Sequence, residues 1–346
     1  MLVRRHSHDY NFLGDTETGV TMRWGATVDE NPLRAPWPEL ADISISNHCS
    51  AGCAYCYRDS SANNSFMPLE DYCRVLDALT SPQWGSVFQV ALGGGEPLEH
   101  PQLEEILRVT RDRGIIANFT TNAISLTADR ARTIAPLVGA VAVSVSDLRA
   151  IRADKIRYLT DAGVRVNLHF ILDAESITQA TDLLRGRSNP LPDGVNAIVF
   201  LTYKPRGRAN ADRCLKPGAE LDAFLCAVNE ATCNAHVGFD ACFVPLLMSR
   251  TNTVIDYVDS CECAFFSVYV DEQMNVRPCS FATGDRDKWN LHKNSMGEIW
   301  NFHFEAYRDQ QIARQCQSEC EQVGQCHGNC AYFSELQLCL THTQGV

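Results

Sequence analysis

The chain has 346 residues, of which 45% are apolar and 21% charged, the composition of an ordinary globular protein with room for one large domain and a smaller one. No run of about 18 apolar residues is present to span a membrane, and the opening MLVRRHSHDYNF lacks the apolar core of a secretion signal, so a cytoplasmic protein is expected, with no membrane partner. Thirty basic against 42 acidic residues leave a net charge of −12, which argues against nucleic acid as a main partner because phosphate binding needs clustered Lys and Arg.

Residues 1–40 carry Pro32, Pro36 and Pro38 without a strong period and read as an extended N-terminal lead-in. From residue 41, short β-branched runs alternate with amphipathic stretches. The strands expected are Ile43–Ser46, Val87–Leu92, Ile115–Thr120, Ala140–Val145, Val164–Leu172 and Ala197–Tyr203; the helices between them are Leu69–Leu79, Leu103–Arg113, Ala128–Ile134, Arg152–Ala162 and Ile177–Arg187. Runs dense in Val, Ile and Leu suit parallel strands covered on both faces, so the repeat predicts a parallel α/β fold, either an open doubly wound sheet or a partial barrel. In both, every strand's carboxyl end meets one rim, where ligands sit. A helix over Ala219–Ala235 closes the repeat, and a domain boundary is placed near 236. Beyond it stand short strand-like pieces (Ser267–Val270, Val276–Arg277), one helix around Met296–Asp309 and a cysteine-rich tail with little apolar sequence. Bound metal is the usual device that orders such a segment.

Sixteen cysteines in a chain without an export signal point to metal or redox chemistry rather than disulfides. Directly after the first strand, Cys49-Ser-Ala-Gly-Cys53-Ala-Tyr55-Cys56 gives the spacing C-x3-C-x2-C. Three thiolates so spaced can hold three irons of a cubane cluster and leave the fourth iron open; a zinc ion closed by His48 is the competing reading. The second strand ends Gly93-Gly94-Gly95-Glu96, where glycines admit a close backbone approach and a carboxylate suits an amine. Tyr203-Lys204-Pro205-Arg206-Gly207-Arg208 puts three cations on the rim, either to meet an acidic partner or as a solvated face. Asn167 and His169 alternate toward one face of the fifth strand. The tail reads Cys316-x3-Cys320-x5-Cys326-x3-Cys330 and then Cys339, with Cys242, Cys261, Cys263 and Cys279 upstream. Spacing alone leaves both iron–sulfur clusters and paired zinc ribbons open here.

At the three-cysteine loop and the Gly-Gly-Glu turn, over about residues 41–205, the sequence resembles the radical SAM superfamily. The resemblance implies a partial (β/α)6 TIM-like barrel over 41–236 that binds S-adenosylmethionine and a [4Fe–4S] cluster. It makes Cys49, Cys53 and Cys56 the cluster ligands, packs Tyr55 beside the cluster, and sets Gly94, Gly95 and Glu96 against the methionine moiety. Asn122 and Ser144 fall where the family places further cofactor contacts, although the usual Thr-Asn-Gly reads Thr-Asn-Ala here and Ser-Leu-Asp-Gly reads Ser-Val-Ser-Asp. The tail, about 237–346, resembles a SPASM-type auxiliary-cluster domain, one residue longer in its first cysteine step and with Met274 in place of the hairpin glycine. By that resemblance Cys261, Cys279, Cys330 and Cys242 form one auxiliary [4Fe–4S] set, with Cys263 competing for the place of Cys242. Cys316, Cys320, Cys326 and Cys339 form another set. Cys73, Cys214, Cys226 and Cys233 are left as ordinary small side chains. Such enzymes cleave S-adenosylmethionine to a 5′-deoxyadenosyl radical. The leading expectation is modification of a ribosomal peptide or protein, with a small-molecule or amino-acid substrate, or a plain electron carrier, as alternatives. An electron donor of the ferredoxin or flavodoxin type is the further partner implied.

Overall fold

The computed structural model describes residues 1–233, 235–254, 258–282, 284–313, 330–336, 338 and 339. The chain begins with a three-stranded antiparallel sheet, β1 (Leu2–His6), β2 (Asn11–Asp15) and β3 (Thr21–Trp24). This departs from the extended lead-in expected of 1–40. The prolines do mark extended chain, but only from Pro32 on. The hairpin signal was Thr16-Glu17-Thr18-Gly19, a turn closed by Gly19 at φ +75°. The inner face of this sheet packs Phe12 edge-on against Phe88 at 5.4 Å, within a small core that includes Tyr10, Phe265 and Phe266.

The main sheet holds β4 (Leu40–Ser46), β7 (Gln89–Gly94), β8 (Ile116–Thr121), β9 (Ala140–Val145), β10 (Arg165–Leu172) and β11 (Val195–Thr202), the six strands read from the sequence, with ends moved by a few residues. A two-residue hairpin pair, β5 (Thr80–Ser81) and β6 (Gly85–Ser86), precedes β7. The helices are α1 (Leu69–Ala78), α2 (Leu103–Asp112), α3 (Ala128–Ile134), α4 (Ala153–Asp161), α5 (Ile177–Leu184) and α6 (Ala219–Asn229). In α2, Leu103, Ile106, Leu107 and Thr110 are buried at the i, i+3, i+4, i+7 spacing of one helix face, and Thr110 meets the Tyr72 hydroxyl of α1 at 2.7 Å. α6 ends at Asn229, short of Ala235, so Cys233 lies beyond the helix while Cys226 is exposed on it.

Two strands from beyond residue 235 extend the same sheet: β12 (His236–Phe239) pairs parallel with β11, and β13 (Ser267–Val270) pairs parallel with β4. β14 (Asn275–Arg277) and β15 (Trp289–Asn290) then continue antiparallel from β13. The order is β12-β11-β10-β9-β8-β7-β4-β13-β14-β15, a partial (β/α) barrel. Later elements are α7 (Val244–Arg250), α8 (Met296–Glu298), a π-turn over Ile299–His303 and α9 (Glu305–Ala313).

Strand alternation divides the barrel. In β10, Val166, Leu168, Phe170 and Leu172 are buried; Phe170 meets Phe200, which meets Phe224 of α6. Each fully buried Phe contributes roughly 1.5–3 kcal/mol. The alternate residues Arg165, Asn167 and His169 line a lumen cavity of about 370 Å³ together with Gln89, Asn118 and Thr120. The turn at Thr16–Gly19 closes its lower end, where Arg165 donates to the Thr18 carbonyl at 3.0 Å. Among the described residues, no helix is long and apolar enough to cross a membrane.

Candidate functional site

The loop after β4 carries Cys49, Cys53 and Cys56, and backbone bonds fix both its ends. Asn47 donates to the Ser65 carbonyl at 2.9 Å, Cys49 to Ser61 at 3.1 Å and Met67 back to Ile45 at 2.9 Å. From the far side of the rim, the chain after β11 clamps the loop. The Arg208 amide donates to the Cys56 carbonyl at 3.0 Å, its Nε to the Cys53 carbonyl at 2.9 Å and its Nη1 to Ser60 and Asp59. Gly207, at φ +66°, lies so close that a Cβ would stand 2.4 Å from the Cys56 carbonyl oxygen. Arg206 donates to the Ser280 carbonyl at 2.7 Å, and Lys204 is buried in an ion pair with Asp240. Neither sequence reading of this cationic run holds, because all three cations are engaged in fastening the rim.

The Gly-Gly-Glu turn at the end of β7 is stitched beneath that loop. A Cβ on Gly94, at φ +103°, would lie 2.1 Å from the Ser46 carbonyl oxygen, and one on Gly95 would lie 2.0 Å from that of His48. The Gly95 and Glu96 amides donate to those two carbonyls at 2.6 and 2.8 Å. These glycines therefore admit protein backbone. Gly93 is the one that faces open space, with no atom within 4 Å of an added Cβ. Glu96, 2% exposed, accepts from the Leu98 amide, the Thr121 hydroxyl and the Asn122 amide, the last at 2.7 Å, and so ties β7 to β8. Burial pushes its carboxyl above the usual range against the pull of those donors.

Asn122 accepts from the Ile124 amide at 2.8 Å, with Ala123 beside it at φ +57°. The position of the family's glycine thus keeps a left-handed backbone although Ala fills it; Met274 does the same at φ +62°, buried in its hairpin. Such a conformation costs a residue with a Cβ about 1–2 kcal/mol. Ser144 is exposed on β9, paired in register with His169 on β10. Sequence reasoning missed Ser146, two residues on: the Tyr55 hydroxyl lies in hydrogen-bonding reach of it and of Cys53, and burial pushes that phenol up. It also missed Arg213, which pairs with buried Asp173 and stands 5.6 Å over the Tyr55 ring. Alternation along Ser144-Val145-Ser146 was the available signal for Ser146.

At the three-cysteine loop the donor chemistry can be weighed against the two metals. His48, the proposed fourth zinc ligand, directs Nε2 to Glu99 at 3.3 Å and lies tilted against the Phe66 ring, centres 4.6 Å apart. Burial pushes the Cys49 thiol up. Among the described residues, no three His, Cys, Asp or Glu side chains already stand in a metal-binding array. Three thiols on one loop with the neighbouring histidine engaged elsewhere fit a cubane iron–sulfur cluster with an open iron better than a closed zinc site.

A second group of thiols gathers behind β11. Cys263 is in hydrogen-bonding contact with Cys261 and Cys279, Cys242 with Cys330, and Cys261 interacts with Cys330. The Phe281 amide donates to the Cys279 Sγ at 3.4 Å. Cys330 is drawn down to about 6 by the bond from Cys242 and by the Tyr332 and Phe333 amides, while its partner Cys242 is pushed up. Hydrogen bonds within the group draw the Cys261 and Cys330 thiols down and push those of Cys242 and Cys263 up. The fold brings Cys263 into the same nest as Cys242. Cys316, Cys320 and Cys326 lie outside the described residues; Cys339 is half-buried.

Residues 43–170 match the Radical SAM superfamily. A PqqA peptide cyclase of Streptomyces rochei is 23% identical over 326 residues, covering 83% of each chain. A probable GTP 3′,8-cyclase of Methanocaldococcus jannaschii is 37% identical over 87 residues, which are 24% of this chain and 28% of that one. The crystal structure of Streptococcus suis SuiB bound to precursor peptide SuiA superimposes with a TM-score of 0.68 at 14% identity, over 97% of this chain and 100% of that one. Native anSMEcpe with bound AdoMet and Cp18Cys peptide does so at 0.57 and 16% identity, over 85% and 89%. With three thiols on the loop after β4 and a glycine turn stitched under them, residues 43–170 form a radical SAM domain, followed by a cysteine-rich C-terminal region.

Proposed function

We propose that this enzyme modifies a ribosomally made peptide by radical chemistry at the carboxyl rim of its barrel. When bound, the [4Fe–4S] cluster and S-adenosylmethionine supply a 5′-deoxyadenosyl radical that takes a hydrogen atom from the substrate. The chain's part is to hold and to exclude. Cys49, Cys53 and Cys56 hold the cluster, and the clamp from Gly207 and Arg208 fixes their loop. The open space at Gly93 receives the methionine end of S-adenosylmethionine, with Asn122, Ser144 and Tyr55 around it; Glu96 acts by tying β7 to β8. Cys242, Cys261, Cys279 and Cys330 hold an auxiliary cluster, with Cys263 as the fifth thiol.

The observation that carries the peptide reading is the full-length likeness to a structure whose partner is a precursor peptide. Two further features support it. The lumen cavity, about 370 Å³, is lined by Gln89, Asn118, Asn167 and His169, polar side chains that can meet a polar residue of a peptide. The small N-terminal sheet leaves its outer strands β1 and β3 unpaired on one side each, with Leu2, Val20 and Met22 exposed, a surface on which an extended leader can add as a strand. Electrons come from a ferredoxin- or flavodoxin-type donor.

Anaerobically reconstituted protein is incubated with S-adenosylmethionine and dithionite, with and without a short peptide encoded beside its gene. The reading expects 5′-deoxyadenosine in both arms, more of it with peptide, and a peptide mass lowered by lost hydrogen. No 5′-deoxyadenosine in either arm defeats the radical reading. 5′-Deoxyadenosine with every peptide unchanged defeats the peptide reading and favours a small substrate.

A further inference from the structure

The barrel lumen is kept open by its own sequence. Inward positions of a (β/α) barrel are normally filled in layers by bulky branched side chains. Here Ala91 of β7 and Ala140 and Ala142 of β9 line the cavity instead, so its centre stays empty. Polar side chains stand beside them in register. Asn118 pairs with both Ala91 and Ala140, while Thr120 and Asn167 flank Ala142 from either side. Ser144, exposed and in register with His169, continues the column toward the rim.

Charge in the lining is confined to the lower end. Arg165, itself exposed, donates Nη1 to the Thr18 carbonyl at 3.0 Å, and Glu17 accepts from the chain's terminal ammonium at 3.3 Å. Above these two the lining is uncharged. Asn118 donates Nδ2 to Gln89 at 3.1 Å, and Asn196 donates Nδ2 to Asn167 Oδ1 at 2.8 Å, which sets the orientation of both amide pairs. Among the described residues, Asn167 Nδ2, the Thr120 hydroxyl and the His169 ring then make no hydrogen bond to protein. Burial keeps the imidazole neutral, so it offers one donor and one acceptor. A charged group lowered among them would find no counter-charge, and an apolar group would leave donors and acceptors unpaired.

We infer that the lumen selects an uncharged side chain of the substrate that both donates and accepts hydrogen bonds, a carboxamide or a hydroxyl, and that Asn167 and His169 read it. The inference rests on the reading that the substrate is a peptide. Asn167 gives its free Nδ2 hydrogens to the oxygen of the incoming group. His169 takes the hydrogen that this group offers. A site built from such groups discriminates sharply, because a substrate lacking the partner leaves them unpaired.

The test is a set of double-mutant cycles on the reconstituted full chain with S-adenosylmethionine and dithionite. The probe is the short peptide encoded beside the gene, with each residue replaced in turn by Ala, and kcat/KM for loss of hydrogen from the peptide is read by mass. One Asn, Gln, Ser or Thr of the peptide is expected to cost about 10–100-fold when replaced on the wild-type enzyme. On Asn167→Ala or His169→Leu the same replacement is expected to cost less than about twofold, since the partner is already gone. A peptide that is modified while no position couples to either variant overturns the inference and leaves the peptide reading standing. Coupling to a charged or purely apolar residue overturns it likewise. Should Asn167→Ala lose its iron, Asn167→Asp decides: it keeps the shape and the bond from Asn196, removes the Nδ2 donor, and must show the same loss of coupling. If 5′-deoxyadenosine forms and every peptide stays unchanged, the peptide reading and the inference fall together.

Discussion

The two cysteine sites of this protein are built in opposite ways. The loop at 49–56 draws its three thiols from eight consecutive residues, and the rest of the fold serves only to hold that loop still. The nest draws Cys242, Cys261, Cys263, Cys279 and Cys330 from separate segments, and the amides of Phe281, Tyr332 and Phe333 meet them there. A site whose donors are local needs a clamp; a site whose donors are distant needs a whole domain interface. The difference predicts which distant substitutions each will feel.

The sharpest way to test that contrast is Gly207→Ala. The new Cβ would meet the Cys56 and Tyr57 carbonyl oxygens at 2.4 and 2.6 Å, so the loop must shift while its ligands remain. Outer supports of a metal site typically matter about 10–100-fold, and that loss is expected in 5′-deoxyadenosine formation. The electron paramagnetic resonance signal of the nest, identified as the one lost on Cys279→Ala, should be unchanged; its loss would show that the two sites are not separately supported.

Glu96→Gln probes the underside of the same loop. Both Glu96 oxygens accept hydrogen bonds, three donors in all, and a glutamine must turn an NH2 group toward one of them. The expected cost is about 1–3 kcal/mol of stability, read by denaturant titration. A loss of S-adenosylmethionine affinity with stability unchanged would instead mean that the carboxylate meets the cofactor directly.

The smallest effect concerns the barrel lumen, away from both cysteine sites. Burial holds His169 down to about 4 against an ordinary 6.5. As pH falls below 6.5 the unfolded chain takes a proton that the folded chain refuses until about pH 4, so stability present above 6.5 is lost through that window. His169→Asn should flatten the fall in melting temperature across it, and an unaltered pH profile would mean that the imidazole is not shielded as its position implies.

Much of the architecture was legible before any coordinates. The six inner strands and the six helices α1–α6 follow from apolar periodicity, because parallel strands and the helices that cover them must bury apolar faces at fixed spacing. What escaped was set by partners distant in sequence. β12 was not read at all, and Ser267–Val270 was read as strand-like but not as a member of the main sheet, because four residues show their place only by pairing with β11 and β4. The N-terminal sheet was masked by polar alternates in Leu2–His6 and by the prolines that follow it. The cationic run at 204–208 read as surface because charge alone does not reveal which carbonyl or carboxylate stands opposite.

By itself the sequence determined the α/β alternation, the three-thiol loop and the glycine turn, since each depends on residues close together along the chain. The tertiary structure alone decided that Gly94 and Gly95 make room for backbone, that Ala123 and Met274 keep left-handed conformations, and that Cys263 joins Cys242 in one nest. The physical reason is that spacing fixes which groups are neighbours along a chain, whereas close approach, burial and the pairing of charges depend on what another segment brings to the same place.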